Sequence, residues 1–199
     1  MQNKPAILAF SGSTRRGSFN DLALRVAARA AEQSGVAVNV IQLRDFAMPL
    51  YDADLEAEHG LPDAARQLKQ WMVSHHGFLL ASPEYNSSIS AVLKNAIDWA
   101  SRREEGEAPL ACFKSKVVGL LSASPGALGG LRGLVHVRAI LGNLGCLVIP
   151  EQMAISAANL AFDDQGQIKD DRVREGVEAV GASLANLLKQ LHIYKLNRN

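Results

Sequence analysis

One stretch of the sequence combines the residue types that bind a phosphate group. Residues 9–20 read AFSGSTRRGSFN, which has four hydroxyl side chains, two arginines and no acidic residue. The stretch follows a short apolar run and leads into a helical pattern, so its amides would lie at a helix N-terminus. Such amides and the helix dipole favour an anion by roughly 0.3–1 kcal/mol, or about 2 kcal/mol when partly buried. The stretch therefore predicts an anion-binding turn, with Arg15 or Arg16 adding charge-assisted hydrogen bonds.

The spacing excludes two common nucleotide-binding loops. Gly12 and Gly17 match the start of the triphosphate-binding pattern G-x-x-x-x-G-K-[ST], but Ser18 stands in place of the lysine. The dinucleotide fingerprint G-x-G-x-x-G is also absent, because Thr14 stands in place of the central glycine. The terminal phosphate of a mononucleotide fits the hydroxyl and amide donors better. An alternative stays open, in which Ser18 or Asn20 only caps the helix and the arginines are solvated.

The apolar periodicity alternates between short strand-like runs and longer helical stretches. The predicted strands are 6–10, 36–43, 77–82, 116–124 and 146–150, and the predicted helices are 19–33, 63–76, 89–102, 131–144 and 170–191. This alternation is typical of a parallel sheet covered by helices on both faces. Ligands of such sheets bind at the carboxyl ends of the strands, so the polar turns after the first, third and fourth strands are expected to face one crevice. In the helix 63–76, we expect Leu68, Trp71 and Met72 to face inward, whereas 151–167 has an irregular pattern.

The turn after the third strand reads SPEYNSSI, residues 82–89. Pro83 fixes one dihedral angle, Asn86 tolerates a left-handed one, and Ser87 or Ser88 is expected to cap the next helix. Its backbone amides would suit a flat heterocycle with a carbonyl-rich edge. A tight turn alone would explain the same residues. A ligand-binding role for this stretch is favoured only because a phosphate-binding turn is predicted beside it.

The turn after the fourth strand reads SASPGALGG, residues 122–130. Its small residues allow a flat ring to approach the backbone closely, although glycines also serve as ordinary turn residues. Together the three turns predict a crevice with a phosphate grip at one end and a small-residue floor at the other. Flavin mononucleotide (FMN) has that shape.

The segments GSTRRGSFN, PEYNSSISAVLKNAIDW and SPGALGG resemble the NADPH-dependent FMN reductases, a flavodoxin-like family that includes quinone, chromate and azo-dye reductases. The resemblance covers the chain from the first strand to about Pro150. It implies an α/β, flavodoxin-like three-layer fold, with a five-stranded parallel sheet of order 2-1-3-4-5 and helices on both faces. It also implies a homodimer or homotetramer whose flavin sites lie near a subunit interface.

The same resemblance implies which residues bind the cofactor. Those expected to hold the phosphate and ribityl chain of FMN are Ser11, Ser13, Arg15, Ser18, Phe19 and Asn20. Those expected to border the isoalloxazine ring, mainly through backbone groups, are Pro83, Glu84, Tyr85 and Asn86, with Ser124 and Gly126 on its far side. In the implied reaction, hydride passes from NADPH or NADH to the flavin, and two electrons pass on to FMN, a quinone, chromate or an azo compound. No side chain is assigned a catalytic role, because the cofactor supplies the chemistry.

Composition limits the other function classes. The 21 basic and 20 acidic residues nearly cancel, so no net positive field favours nucleic acid or an anionic membrane. A length of 199 residues with 48% hydrophobic content predicts one domain over residues 1–194 and a flexible tail at 195–199. No apolar run is long enough for a secretory signal or a membrane span, which favours a cytoplasmic protein. Cys112 and Cys146 lack metal-ligand spacing and are expected to be buried thiols, although a single disulfide stays open.

Two alternatives to a reductase stay open. A flavodoxin-type electron carrier also binds FMN, but such carriers are typically strongly acidic around the flavin, whereas this chain is balanced in charge. A sensor of some other phosphate ligand would need only the first turn. The sequence decides neither between NADPH and NADH nor among the electron acceptors.

Overall fold

A computed structural model describes residues 4–196 of the chain, with side chains up to His192. The strands in chain order are β1 (Ala6–Ser11), β2 (Ala37–Gln42), β3 (Gly77–Ala81), β4 (Glu84–Tyr85), β5 (Ser88–Ile89), β6 (Val117–Ala123) and β7 (Leu147–Ile155). The helices are α1 (Phe19–Gln33), α2 (Ala53–His59), α3 (Asp63–Ser74), α4 (Ala91–Ser101), α5 (Leu131–Asn143), α6 (Ala158–Ala161) and α7 (Asp171–Leu196). Helix α7 includes the first two residues of the predicted tail, and residues 197–199 lie outside the described residues.

The central sheet has the order β2-β1-β3-β6-β7, and all its neighbouring strands are parallel. Strands β4 and β5 form a separate antiparallel hairpin. With that hairpin left out of the count, the order is 2-1-3-4-5, so the predicted α/β flavodoxin-like sheet is confirmed. Every residue of β3 and β6 is buried, as expected for central strands that are covered on both faces.

Alternate residues of the strands supply two apolar cores. Ile7 and Ala9 of β1 belong to the core beneath α1 and α7, whereas Leu8 and Phe10 belong to the core beneath α3, α4 and α5. This division follows from the period of two along a strand, which sends successive side chains to opposite faces. Both faces of the sheet therefore hold the strands in place, and the strand ends are left to form the site.

Several elements differ from the sequence prediction. Strand β7 continues beyond Pro150 to Ile155, because the pairing register shifts after Val118 and proline is tolerated on an edge strand. Helix α2 and the short α6 have too few residues to show a periodic pattern. Trp71 was expected to face inward but is 39% exposed. Trp99, by contrast, is fully buried and donates its indole N–H to the carbonyl of Pro49 at 2.9 Å.

The two cysteines and His75 contribute to the packing and hydrogen bonding of the fold. Cys112 and Cys146 are both free thiols, but only Cys112 is buried as predicted, whereas Cys146 is half-buried. Burial raises the pKa of the two thiols to about 11 and about 12, so both are protonated at neutral pH. His75 Nδ1 lies 2.6 Å from the carbonyl oxygen of Trp71, near the end of α3. Within the described residues, no cluster of potential ligands could hold a metal ion, and no helix is long and apolar enough to cross a bilayer.

Candidate functional site

A cavity of about 250 Å³ lies at the carboxyl ends of β1, β3 and β6. It is bordered by nine of the residues predicted from the sequence: Ser13, Arg15, Ser18, Phe19, Asn20, Pro83, Glu84, Tyr85 and Ser124. Ala123 and Pro125 complete the lining, whereas the other predicted residues, Ser11, Asn86 and Gly126, lie beside the cavity in the chain without lining it. The fold therefore brings the three polar turns together, as parallel-strand topology predicts.

The first turn leaves hydrogen-bond donors free at the start of α1. Ser18 occupies the N-cap position and is 2% exposed, but its side chain makes no capping hydrogen bond. Asn20 does not cap the helix either, because its amide bonds elsewhere. Ser18 thus holds the capping position without the capping hydrogen bond, whereas Arg15 and Arg16 are exposed, as the alternative of a solvated turn expects. Unpaired amides at this helix start remain available to an anion.

Hydrogen bonds and close packing shape the same turn from within. The Ser13 amide donates to Ser11 Oγ at 3.1 Å, so the Ser11 hydroxyl supports the turn from beneath. A Cβ on Gly12 would lie 3.0 Å from Leu93 Cβ and 3.1 Å from Pro83 Cδ. The carbonyl of Gly12 accepts a hydrogen bond from Ser90 Oγ at 2.6 Å. Glycine at position 12 therefore allows the turn to pack closely against α4 and Pro83.

Asn20 joins the first turn to the third. Its Nδ2 donates to the carbonyl of Ala123 at 2.9 Å, and its Oδ1 accepts from the amide of Ala123 at 3.0 Å. Both groups are buried, so the pair satisfies backbone atoms at the end of β6 that water does not reach. Asn20 thus fixes the separation between two walls of the cavity.

The irregular segment 151–167 contributes an aromatic contact that the sequence did not predict. Phe162 stacks on Phe19, with ring centroids 5.9 Å apart and ring planes 6° apart. The Arg15 guanidinium carbon also lies 5.3 Å from the centroid of the Phe19 ring, which is a cation–π geometry. Phe162 therefore supports Phe19, and the Arg15 guanidinium lies over the Phe19 ring at the cavity edge. An aromatic residue at this position was the only sequence signal.

The second turn is a two-residue hairpin. Tyr85 pairs with Ser88, and the two residues between them, Asn86 and Ser87, have φ angles of 50° and 66°. Positive φ at both positions matches the type I′ turn that the right-handed strand twist favours. Ser90, rather than Ser87 or Ser88, caps α4: its Oγ accepts from the amide of Leu93 at 3.2 Å. The expected capping residues instead form the hairpin.

Glu84 anchors the hairpin to the start of α5. Its Oε1 accepts from Arg132 Nε at 2.9 Å, and its Oε2 accepts from the Gly133 amide at 3.1 Å. Burial of this side chain, which is 8% exposed, opposes its charge, but the bonds from Arg132 and Gly133 outweigh that effect and lower the pKa of Glu84. The sequence did not predict a role for Arg132.

The glycines of the third turn divide into two kinds. Gly129 has φ of 61°, and a Cβ there would lie 2.6 Å from the carbonyl carbon of Ile155. Gly126, which the sequence placed at the flavin, has room for a Cβ, and its amide donates to Ser124 Oγ at 3.2 Å. Gly129 is therefore required by packing, whereas Gly126 leaves the rim of the cavity open.

Replacing Asn20 by alanine is expected to destabilise the fold by about 2–4 kcal/mol, because two buried hydrogen bonds are lost and the Ala123 backbone is left unpaired. Chemical denaturation measures the change in the free energy of unfolding. Asn143→Ala, at the exposed end of α5, is the control and should change it by no more than about 0.5 kcal/mol. Equal effects of the two substitutions would show that the Asn20 contact adds no stability.

Glu84→Gln is expected to lower stability at pH 7, because the neutral amide has no negative charge to pair with the Arg132 guanidinium. The folded-state pKa of Glu84 is below the ordinary value of 4.5, so its stabilising effect is present above that pH and is lost as pH falls through the folded-state pKa. The stability difference between the variant and the unaltered protein should therefore shrink below about pH 4.5. Denaturation at several pH values tests this, with Glu105→Gln in the loop after α4 as control. A difference that stays constant from pH 7 to pH 3 contradicts the assignment.

Comparison with known proteins identifies the family. The sequence profile of the NADPH-dependent FMN reductase family matches residues 5–160. An NAD(P)H-dependent FMN reductase of Pseudomonas aeruginosa is 38% identical over 180 residues, which cover 89% of this chain and 92% of the relative. The quinone reductase of Escherichia coli strain K12 is 36% identical over 173 residues, which cover 85% of this chain and 88% of the relative.

The fold is also found in a solved flavoenzyme. The NAD(P)H:(acceptor) oxidoreductase FerB of Paracoccus denitrificans superposes with a TM-score of 0.75 at 23% identity, covering 94% of this chain and 98% of the other. At that identity the likeness establishes the fold alone, whereas the profile match and the relatives establish the family. This chain belongs to the NADPH-dependent FMN reductase family.

Proposed function

We propose that this enzyme, whose family uses FMN and NAD(P)H, binds FMN in the cavity between the three turns and reduces a small acceptor by two-electron transfer. The observation that carries the proposal is the meeting of free helix N-terminal donors, Arg15 and the hairpin around one cavity. Bound FMN would supply the redox chemistry, taking hydride from the nucleotide and giving electrons to the acceptor. The protein's own groups bind, orient and expose that cofactor.

The phosphate end of the cofactor fits the first turn. The amides at the start of α1 and the hydroxyls of Ser13 and Ser18 supply donors, and Arg15 supplies the positive charge. This set needs no lysine or magnesium ion, which suits a single terminal phosphate rather than a triphosphate. The stack of Arg15, Phe19 and Phe162 limits the freedom of the arginine before the ligand arrives, which lowers the entropy cost of binding.

The ring end fits the space between the second and third turns. The hairpin is fixed by Glu84, so its backbone groups are pre-organised along one edge of the cavity. Ser124 and Pro125 form the opposite edge. Tyr85 is 57% exposed at the rim, where it leaves the cavity open to a second planar molecule such as a nicotinamide or a quinone.

The charges around the cavity favour a reductase over a carrier. Glu84 is the only carboxylate among the lining residues, and it pairs with Arg132, so Arg15 is the one lining charge without an ion pair within the described residues, although Asp21 interacts with it electrostatically. An electron carrier that docks through an acidic surface would need the opposite sign. A positive lining suits an anionic cofactor and a small acceptor that diffuses in.

The acceptor in this proposal is a quinone or free flavin. The relatives from Pseudomonas aeruginosa and Escherichia coli are named as an FMN reductase and a quinone reductase, which supports both. Chromate and azo compounds are further acceptors for an exposed reduced ring. The proposal includes a cytoplasmic homodimer or homotetramer, and exposed apolar residues of α5 beside the hairpin, Leu131 and Val135, offer a surface for it.

Arg15→Ala is expected to weaken FMN binding about 10- to 100-fold, the usual cost of losing a hydrogen bond to a charged group. Quenching of FMN fluorescence by the cofactor-free protein measures the affinity. Arg16→Ala is the matched control, because Arg16 is the adjacent exposed arginine of the same turn and does not line the cavity. Equal losses in the two variants would contradict a specific contact from Arg15.

Anaerobic addition of NADPH or NADH to the FMN-loaded protein tests the activity directly. Loss of the flavin absorbance, followed by its recovery on addition of a quinone, is the expected result. A flavin that neither nucleotide bleaches favours an electron carrier. A protein that takes up no FMN favours a sensor of another phosphate ligand.

A further inference from the structure

A second cavity lies on the other side of the first turn. It has a volume of about 260 Å³ and is lined by Thr14 of that turn, by residues that follow β2 and by residues of α4. Ser13 and Arg15, the neighbours of Thr14, line the first cavity instead. The turn therefore separates two cavities, and successive side chains face different ones.

Arg44 lies in this cavity with an unsatisfied donor. It belongs to the 3₁₀ turn Leu43–Asp45 after β2, and its Nε is buried without a hydrogen-bond partner. The lining contains no carboxylate. Asp21 is near enough to interact electrostatically with Arg44, yet no ion pair joins the two within the described residues. Arg44 as a whole is only half-buried, and its guanidinium has no hydrogen bond or ion pair within the described residues, so it is available to an anionic ligand in the cavity.

The walls of the cavity suit a nucleoside phosphate. Met48 and Val92 supply apolar surface for a base or ribose, and the exposed Thr14 hydroxyl supplies a second donor near Arg44. Asn95 is not a free ligand, because its side chain accepts from the Tyr51 amide at 2.8 Å and donates to the Pro49 carbonyl at 2.9 Å. Those two bonds hold the segment after β2 against α4, so the cavity is formed before any ligand binds.

We propose that Arg44 and Thr14 form a second phosphate subsite that takes the 2′-phosphate of NADPH. The flavin phosphate already has its own donors in the first cavity, and the nucleotide is the other phosphate-bearing molecule of the proposed reaction. A monoester phosphate matches the planar, multidentate guanidinium of Arg44. NADH lacks this phosphate, so the subsite makes the enzyme prefer NADPH. This inference rests on the proposed function.

The test measures binding of adenosine 2′,5′-bisphosphate and adenosine 5′-monophosphate by calorimetry, without redox turnover. The unaltered protein should bind the bisphosphate more tightly than the monophosphate. Arg44→Ala should weaken bisphosphate binding at least about tenfold, as expected for a lost charge-assisted hydrogen bond, and Arg44→Lys should restore part of it. The control is Arg25→Ala, which removes an exposed arginine that also interacts with Asp21 and should leave bisphosphate binding unchanged.

Three results would overturn the proposal. The unaltered protein shows no preference for the bisphosphate, or Arg44→Ala weakens the binding of both nucleotides equally. The third is that Arg44→Ala weakens FMN binding and leaves bisphosphate binding unchanged. Thermal denaturation shows whether the alanine variant is folded, and Thr14→Val supplies an independent variant of the same subsite with the same expected direction. Failure of the proposed function is distinguishable, because it appears as an unaltered FMN-loaded protein that neither NADPH nor NADH reduces.

Discussion

The two hydrogen bonds between the Asn20 side chain and the Ala123 backbone connect the start of α1 with the end of β6. These bonds join the first turn, which leads into α1, to the third turn, which follows β6. The two buried hydrogen bonds between Asn20 and Ala123 set the width of the cavity between these turns. The pair therefore holds the start of α1 and the end of β6 at a fixed separation.

Close packing of small residues holds the second turn against the first. Gly12 lets the first turn approach Leu93 and Pro83, and the Ser90 hydroxyl links it to the start of α4. Glu84 then joins the hairpin to α5 through Arg132. The first turn is thus supported by α4, and the hairpin is supported by α5. This arrangement pre-organises the donors of the cavity, which lowers the entropy cost of ordering a ligand there.

The first turn has a further consequence because it borders two cavities. Its alternate side chains allow one short segment to present Arg15 to the cofactor cavity and Thr14 to the cavity of Arg44. Two phosphate-bearing molecules that must meet in one reaction can then be oriented by the same backbone. A shift of this turn would alter both subsites together.

The sequence by itself determined the alternating α/β pattern and the three turns, because apolar periodicity and turn residues are local signals. The order of the sheet followed from the resemblance to a known family. The cavity-lining positions of Ser13 and Ser18 also followed from it. Only the tertiary structure decided the partners of Asn20 and Glu84, the exposure of Trp71 and the stack of Phe162 on Phe19. The tertiary structure alone also showed that Arg44 Nε has no hydrogen-bond partner within the described residues. Each of these depends on residues far apart in the chain, whose contacts no local pattern encodes.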